Sequence, residues 1–235
     1  MSKQDQFNYW YAVNNTEVVL MPTRRLETFG ATMLNYHMLS ELMDTVNQVR
    51  VREGRIQAFR PQIITPTLFT NSLLEGFGKE AEEYVEWLRR NASDLPPILR
   101  YGFMIKKEEI SQHIVTENLQ QVLEQVRQSV KQKDDPLSAI VVGVDNPWEV
   151  SLVKLMLDVI RNSAPGNVRD LRRSRMLDRE GGVPRAVRME VEADFSAAER
   201  DSTLVKRLGK KLQEYGLFEE YQDRFFALLN SKGLA

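Results

Sequence analysis

An α+β fold, with an N-terminal antiparallel sheet packed against helices and a helical C-terminal region, follows from a change of period along the chain. As far as residue 66, apolar and polar residues tend to alternate, as they do in strands with one wet face. From Gly78 onwards apolar residues recur at helical spacing instead. At 235 residues and 42% hydrophobic, the chain is long and apolar enough to bury a substantial core.

The first strand signals are Tyr9-Trp-Tyr-Ala-Val13 and Glu17-Val-Val-Leu-Met21. They flank Asn14-Asn15-Thr16, where asparagine tolerates left-handed backbone, so a β-hairpin is expected. Thr32 to Ser40 supplies another strand. A second hairpin is expected from Gln48 to Arg60, because Val49, Val51, Ile56 and Ala58 alternate with Arg50, Arg52 and Gln57 on either side of Glu53-Gly54. Pro61 and Pro66 then punctuate the exit, since proline cannot donate to a central ladder.

The first helix is expected near Lys79, with Ala81, Tyr84, Val85, Trp87 and Leu88 on one side and mostly charged residues on the other. Asp94-Leu-Pro-Pro97 stops it, and Ile98 to Lys107 reads as a strand. Thr116 is placed as the cap of a second helix with the stripe Leu119, Val122, Leu123, Val126 and Val130. Leu137 to Val144 pulls two ways: its β-branched residues favour a buried strand, whereas Asp135-Pro136 suits a helix start, and a helix is the expectation. Asn146, Pro147 and Glu149 are arranged as a capping box for a core helix whose narrow polar stripe is Ser151, Lys154, Asp158 and Arg161.

An arginine-rich segment begins after Ala164-Pro-Gly166, and Gly181-Gly-Val-Pro184 connects it to the C-terminal region. Val187 to Phe195 alternates as a strand would, but Glu, Arg, Met and Ala are good helix formers, which favours a helix. The stripe of Leu204, Val205, Leu208 and Leu212 ends at Gly216, and Phe218, Tyr221, Phe225, Leu228 and Leu229 form another. A helical hairpin closed by a glycine C-cap follows. These readings divide the chain into a core domain over 1–180, β-rich in 1–66, mainly helical in 79–164 and arginine-rich in 165–180, and a helical region over 181–235.

Functional signals are sparse. The absence of cysteine removes disulfides, thiol nucleophiles and thiolate metal sites, and no run of apolar residues is long enough for a membrane span. The expected location is cytoplasmic. A formal net charge of −1 argues against a globally basic nucleic-acid protein but leaves room for a local patch. The patch is the stretch Arg161 to Arg188, whose eight arginines (161, 169, 172, 173, 175, 179, 185 and 188) include no lysine among them. Guanidinium forks suit carboxylate or phosphate, so Arg169, Arg172, Arg173 and Arg175 are the candidate anion-binding residues. The bland reading is a solvated connector paired with Asp170, Asp178 and Glu180. Base-stacking aromatics are missing from the stretch, which disfavours a nucleic-acid partner without removing it.

Other constellations are weaker. Arg50, Arg52, Arg55 and Arg60 read mainly as the wet side of a sheet, with Tyr36 and His37 on a neighbouring strand as a conceivable anion site. Asp145 and Glu149, one helical turn apart, are a minor candidate acid/base pair. His37 and His113 lack metal-ligand spacing, and no nucleophile elbow or nucleotide loop is present. The catalytic residues are unknown and no cofactor or metal is expected. Phe218, Tyr221, Phe225 and Phe226 are candidate interaction residues, because adjacent helical positions point in different directions and one of the last pair would stay available to a partner. The expected function is therefore a non-enzymatic binding or assembly protein meeting an anionic partner through the arginine segment. A homo-oligomer or protein partner is the preferred form. Nucleic-acid binding, or an enzyme with an unrecognised carboxylate/His site, is the alternative.

Overall fold

The computed structural model describes residues 3–43, 46–59, 62–63, 74–91, 101–102 and 105–233. Along the chain come α1 (Lys3–Asn14), β1 (Glu17–Leu20), β2 (Thr32–Glu41), β3 (Val49–Ala58), β4 (Gln62–Ile63) and β5 (Leu74–Glu75). Next are α2 (Lys79–Asn91), β6 (Tyr101–Gly102), β7 (Ile105–Val115), α3 (Leu119–Lys133), β8 (Ser138–Val142) and α4 (Trp148–Arg173). The chain ends with β9 (Arg179–Glu180), β10 (Val183–Pro184), α5 (Arg185–Ala198), a short 3-10 turn, α6 (Val205–Glu214) and α7 (Phe218–Ser231). The α+β class is as expected. Two compact units are present: Met1–Pro61, Asn71–Leu99 and Phe103–Asn167 form the first, and Gln62–Thr70, Arg100–Gly102 and Val168–Ala235 the second.

The first unit is built on a sheet in the order β1-β8-β2-β3-β7-β5. It is mixed rather than purely antiparallel, since β2 runs parallel to β8 and β5 to β7. Leu34, Tyr36, Met38 and Ile56 pack on one face with α4 residues such as Leu152 and Met156. On the other face Leu39, Val49, Val51 and Ile140 meet Val122 and Val130 of α3. Burial on both faces explains why residues 138–142 are a strand and not the expected helix. A central strand has no wet side to encode, so Ala139-Ile-Val-Val142 reads as a continuous apolar run.

Both expected hairpins are corrected. The first hairpin is absent: residues 9–13 belong to α1, and only Glu17–Leu20 is a strand. Tyr9, Ala12 and Thr16 are buried, a helical spacing, and the Tyr9 and Trp10 rings pack against Trp87 of α2. The second hairpin is also absent. Glu53-Gly54 lies inside the single long strand β3, which pairs with β2 from Val49 to Ala58 without interruption. Against β7 the register slips there, leaving Ile110 as the extra residue of a bulge. Gly54 serves packing rather than a turn: it faces Tyr36, and a Cβ would collide with the Tyr36 hydroxyl and the Glu108 carbonyl.

Helix starts also differ. Asn118, not Thr116, caps α3, its side chain accepting from the Gln121 N–H at 3.0 Å. Glu149 forms no capping box; its carboxylate accepts from the Gly78 N–H and pairs with Lys107. Helix α4 does not end at Ala164 but runs through Pro165 and Gly166 to Arg173. Its polar stripe points at the end of α1: Ser151 bonds Thr16 at 2.7 Å, and Lys154 Nζ donates to the Val13 and Thr16 carbonyls at 3.0 and 2.7 Å. An ammonium there complements the C-terminal partial charge of α1. Of the strand expected at Ile98 to Lys107, residues 98–100 and 103–104 lie outside the described residues, and β7 continues to Val115.

The second unit is mainly helical. Val187, Val191 and Phe195 recur every fourth residue on α5 and pack with Leu208, Leu212, Phe225 and Leu228. Helix α6 closes as expected: Gly216 has φ of 64°, with Leu217 N–H donating to the Leu212 carbonyl and Gly216 N–H to that of Gln213. This is the Schellman arrangement. Lys211, only 3% exposed, reaches Glu190 at 3.0 Å and Asp194 at 2.8 Å inside this core.

Candidate functional site

Arg169, Arg172 and Arg173 lie on the last turns of α4, and Arg175 follows it. All are exposed, and none is in an ion pair among the described residues. Neighbours in the same stretch behave differently: Arg161 pairs with Asp158, Arg185 with Glu180 and Arg188 with Glu220. Arg185 with Glu180 is an instance of the expected pairing of the connector with its own acids, whereas Asp158 and Glu220 lie outside the connector. Position along the helix gives part of the reason, since cations near a helix C-terminus are favoured by the dipole without any acid beside them.

Arg175 carries an additional signal. The Met176 N–H donates to the Leu171 carbonyl at 2.9 Å and the Arg175 N–H to that of Arg172 at 3.0 Å, the same termination seen at Gly216. Here the left-handed position, φ of 55°, is held by arginine. A side chain in that conformation costs about 1 kcal/mol relative to glycine.

The four candidate aromatics separate as their spacing implies. Phe225 is 8% exposed and Phe226 is 49% exposed, with Phe218 and Tyr221 half-buried. Phe218 meets both phenylalanines edge-on, and Tyr221 stacks with Phe195.

A site that sequence reasoning separated into unrelated pieces assembles at the start of α4 in the first unit. Alternation places Arg50 and Arg52 on the α4 face of β3, where both guanidinium groups converge on Asp145, Arg52 at 2.8 Å. Arg52 is 3% exposed, which overturns the reading as the wet side of a sheet for this arginine; Arg55 is exposed as expected, and Arg60 lies outside the described residues. Its Nε donates to Gln112 at 3.0 Å, and its guanidinium lies 4.7 Å from the centre of the Trp148 ring. Lys107 approaches the same ring at 4.5 Å while paired with Glu149. Asp145 and Glu149 thus each hold their own cations and do not form an acid/base pair. Arg50 Nε, Arg52 Nη1 and the Tyr36 hydroxyl are buried without a hydrogen-bond partner among the described residues. Burial, with Glu109 and Glu149 nearby, raises the Tyr36 pKa, so its hydroxyl remains protonated.

Beside this network a cleft of about 610 Å³ is lined by Tyr11, Glu41, Arg50, Leu119, Val144 and Asp145, among others. It lies at the carboxyl ends of the parallel strands β2 and β8, the position at which open α/β sheets bind ligands. No signal in the sequence connects Arg50 to Asp145, because their proximity depends on strand order.

His37 is on the opposite face of β2 from Tyr36 and bonds Glu53 at 2.8 Å, with Ser111 donating to the same carboxylate at 3.2 Å. Burial lowers the His37 pKa, and the attraction of Glu53 offsets that only in part. His113 is exposed. Among the described residues no group of three His, Asp or Glu side chains is arranged to hold a metal ion, and no helix is long and apolar enough to cross a membrane.

No protein-family model, curated protein or solved structure matches the chain, so the functional reading rests on geometry.

Proposed function

We propose that the protein is a non-enzymatic cytoplasmic binding or assembly protein whose segment Arg169, Arg172, Arg173 and Arg175 contacts an anionic partner. The observation that carries this reading is the exposure of all four guanidinium groups without an ion pair among the described residues. Such forks are available for bidentate contact with carboxylate or phosphate. The arginine at a position suited to glycine supports the same reading, because backbone strain retained at the surface is often associated with function. A protein partner or second copy is preferred, and Phe226, exposed beside Phe218 and Phe225, supplies an apolar contact for it.

The test is native mass spectrometry at low salt on protein from its own host, alongside the variant R172Q/R173Q/R175Q. The expected result is a second subunit or an acidic protein held by the wild type, released by salt and absent from the variant. Retained nucleic acid would replace the protein partner with the alternative. A wild type that holds nothing, or a variant that retains the same partner, would overturn the anionic-contact reading.

A further inference from the structure

We infer that the anionic partner of Arg169, Arg172 and Arg173 is the exposed face of α7 on a second copy of this chain. The inference rests on the preceding proposal and deepens it, naming the partner as the protein itself and its contacting residues as Glu219, Asp223 and Phe226.

Both faces follow from helical spacing. Arg169, Arg172 and Arg173 stand at i, i+3 and i+4 near the end of α4, so they share one side of that helix. On α7, Glu219, Asp223 and Phe226 stand at i, i+4 and i+7 and share a side in the same way. All of these residues are exposed.

The sorting of charge on α7 supplies the first argument. Of its acids, Glu220 is held by Arg188, and its own Arg224 turns to Glu192 instead. Glu219 and Asp223 are left without an ion pair among the described residues, as are Arg169, Arg172 and Arg173. No ion pair among the described residues joins the two stripes within one copy. The helix dipole accounts for Glu219 in the first turn, but it fades before Asp223.

Matching dimensions supply the second. Arg169 and Arg173 are four residues apart, and so are Glu219 and Asp223, a rise of about 6 Å along either helix. Two guanidinium forks at that separation therefore meet two carboxylates at the same separation. Exposed ion pairs are individually weak, so the contact needs an anchor. Phe226 lies one turn beyond Asp223 and offers an aromatic face on which a guanidinium stacks. Every copy carries both stripes and can both give and receive the contact.

Sedimentation velocity at low salt tests this with the wild type and two charge-reversal variants, R172E/R173E and E219R/D223R. The wild type should self-associate and return to monomer in about 0.5 M NaCl. Each variant alone should self-associate about tenfold or more weakly, because attraction between the stripes becomes repulsion. An equimolar mixture of the two variants should associate again, since the acidic α4 end of one then meets the basic α7 of the other. A wild type that stays monomeric at low salt overturns the inference, whatever the stability of the variants. So does E219R/D223R associating as the wild type does, or a mixture that stays monomeric although each variant melts at the wild-type temperature. In those cases the arginine reading still stands if native mass spectrometry finds an acidic protein that R172Q/R173Q/R175Q releases. Wild-type association by R172E/R173E would overturn both.

Discussion

The arginines of the two units behave in opposite ways. In the first unit Arg50 and Arg52 are far in sequence from Asp145, yet all three meet at the start of α4, with Arg52 buried. In the second unit Arg169, Arg172, Arg173 and Arg175 are crowded in sequence and remain exposed, with no ion pair among the described residues. Crowding of like charge along a chain thus indicates surface and availability, whereas a charged structural network is assembled by strand order. The second unit also has a buried network, Lys211 with Glu190 and Asp194. Its acids are one helical turn apart on α5, so part of it is local.

Removing a central carboxylate separates these cases most strongly. Asp145→Ala strands Arg52 in the interior and is expected to cost about 3–5 kcal/mol in urea unfolding. R172Q/R173Q/R175Q should change stability by less than about 0.5 kcal/mol. Equal effects of the two variants would erase the distinction. Next in size is Gly54→Ala, expected to cost about 1–3 kcal/mol because the new methyl group forces Tyr36 or the Glu108 backbone to move. An unchanged midpoint would show that β3 accommodates it.

Arg175→Gly reverses the sign. Relief of the left-handed conformation should stabilise the second unit by up to about 1 kcal/mol, less the greater chain entropy of unfolded glycine, while weakening partner binding. Gain of stability with unaltered binding would reduce the segment to a helix terminus. Phe226→Ala should have a smaller effect on stability, below about 0.5 kcal/mol, and lower the assembled fraction seen by sedimentation. A large loss of stability with no change in assembly would assign Phe226 to the core.

His37 sharpens the first unit by pH. Its folded pKa lies below the ordinary value, so the unfolded chain takes up the proton first as pH falls below about 6.5. Stability is unaffected by this group above that pH and is lost on descending towards the folded pKa. His37→Gln should therefore show a smaller difference in unfolding free energy between pH 7.5 and pH 5.5 than the wild type. The same difference in both proteins would mean that other groups set the acid limb.

Sequence by itself determined the α+β class, the strand at Thr32, the helix at Lys79, the amphipathic α3 and the C-terminal helices with their Gly216 closure. Each has a one-sided apolar pattern or a cap, which are local properties. The split between Phe225 and Phe226 was legible for the same reason, since neighbouring helical positions must diverge. Tertiary structure decided the remainder. Residues 138–142 lack a wet side because both faces of β8 are covered, and the aromatic run at 9–11 became helix through contacts with α2. Glu53-Gly54 resembled a turn because glycine serves both turns and close approaches, and only the ring of Tyr36 shows which one applies. The network of Arg50, Arg52 and Asp145 and the cleft beside it depend on the parallel pairing of β2 with β8, a contact across about a hundred residues of chain that no local pattern encodes.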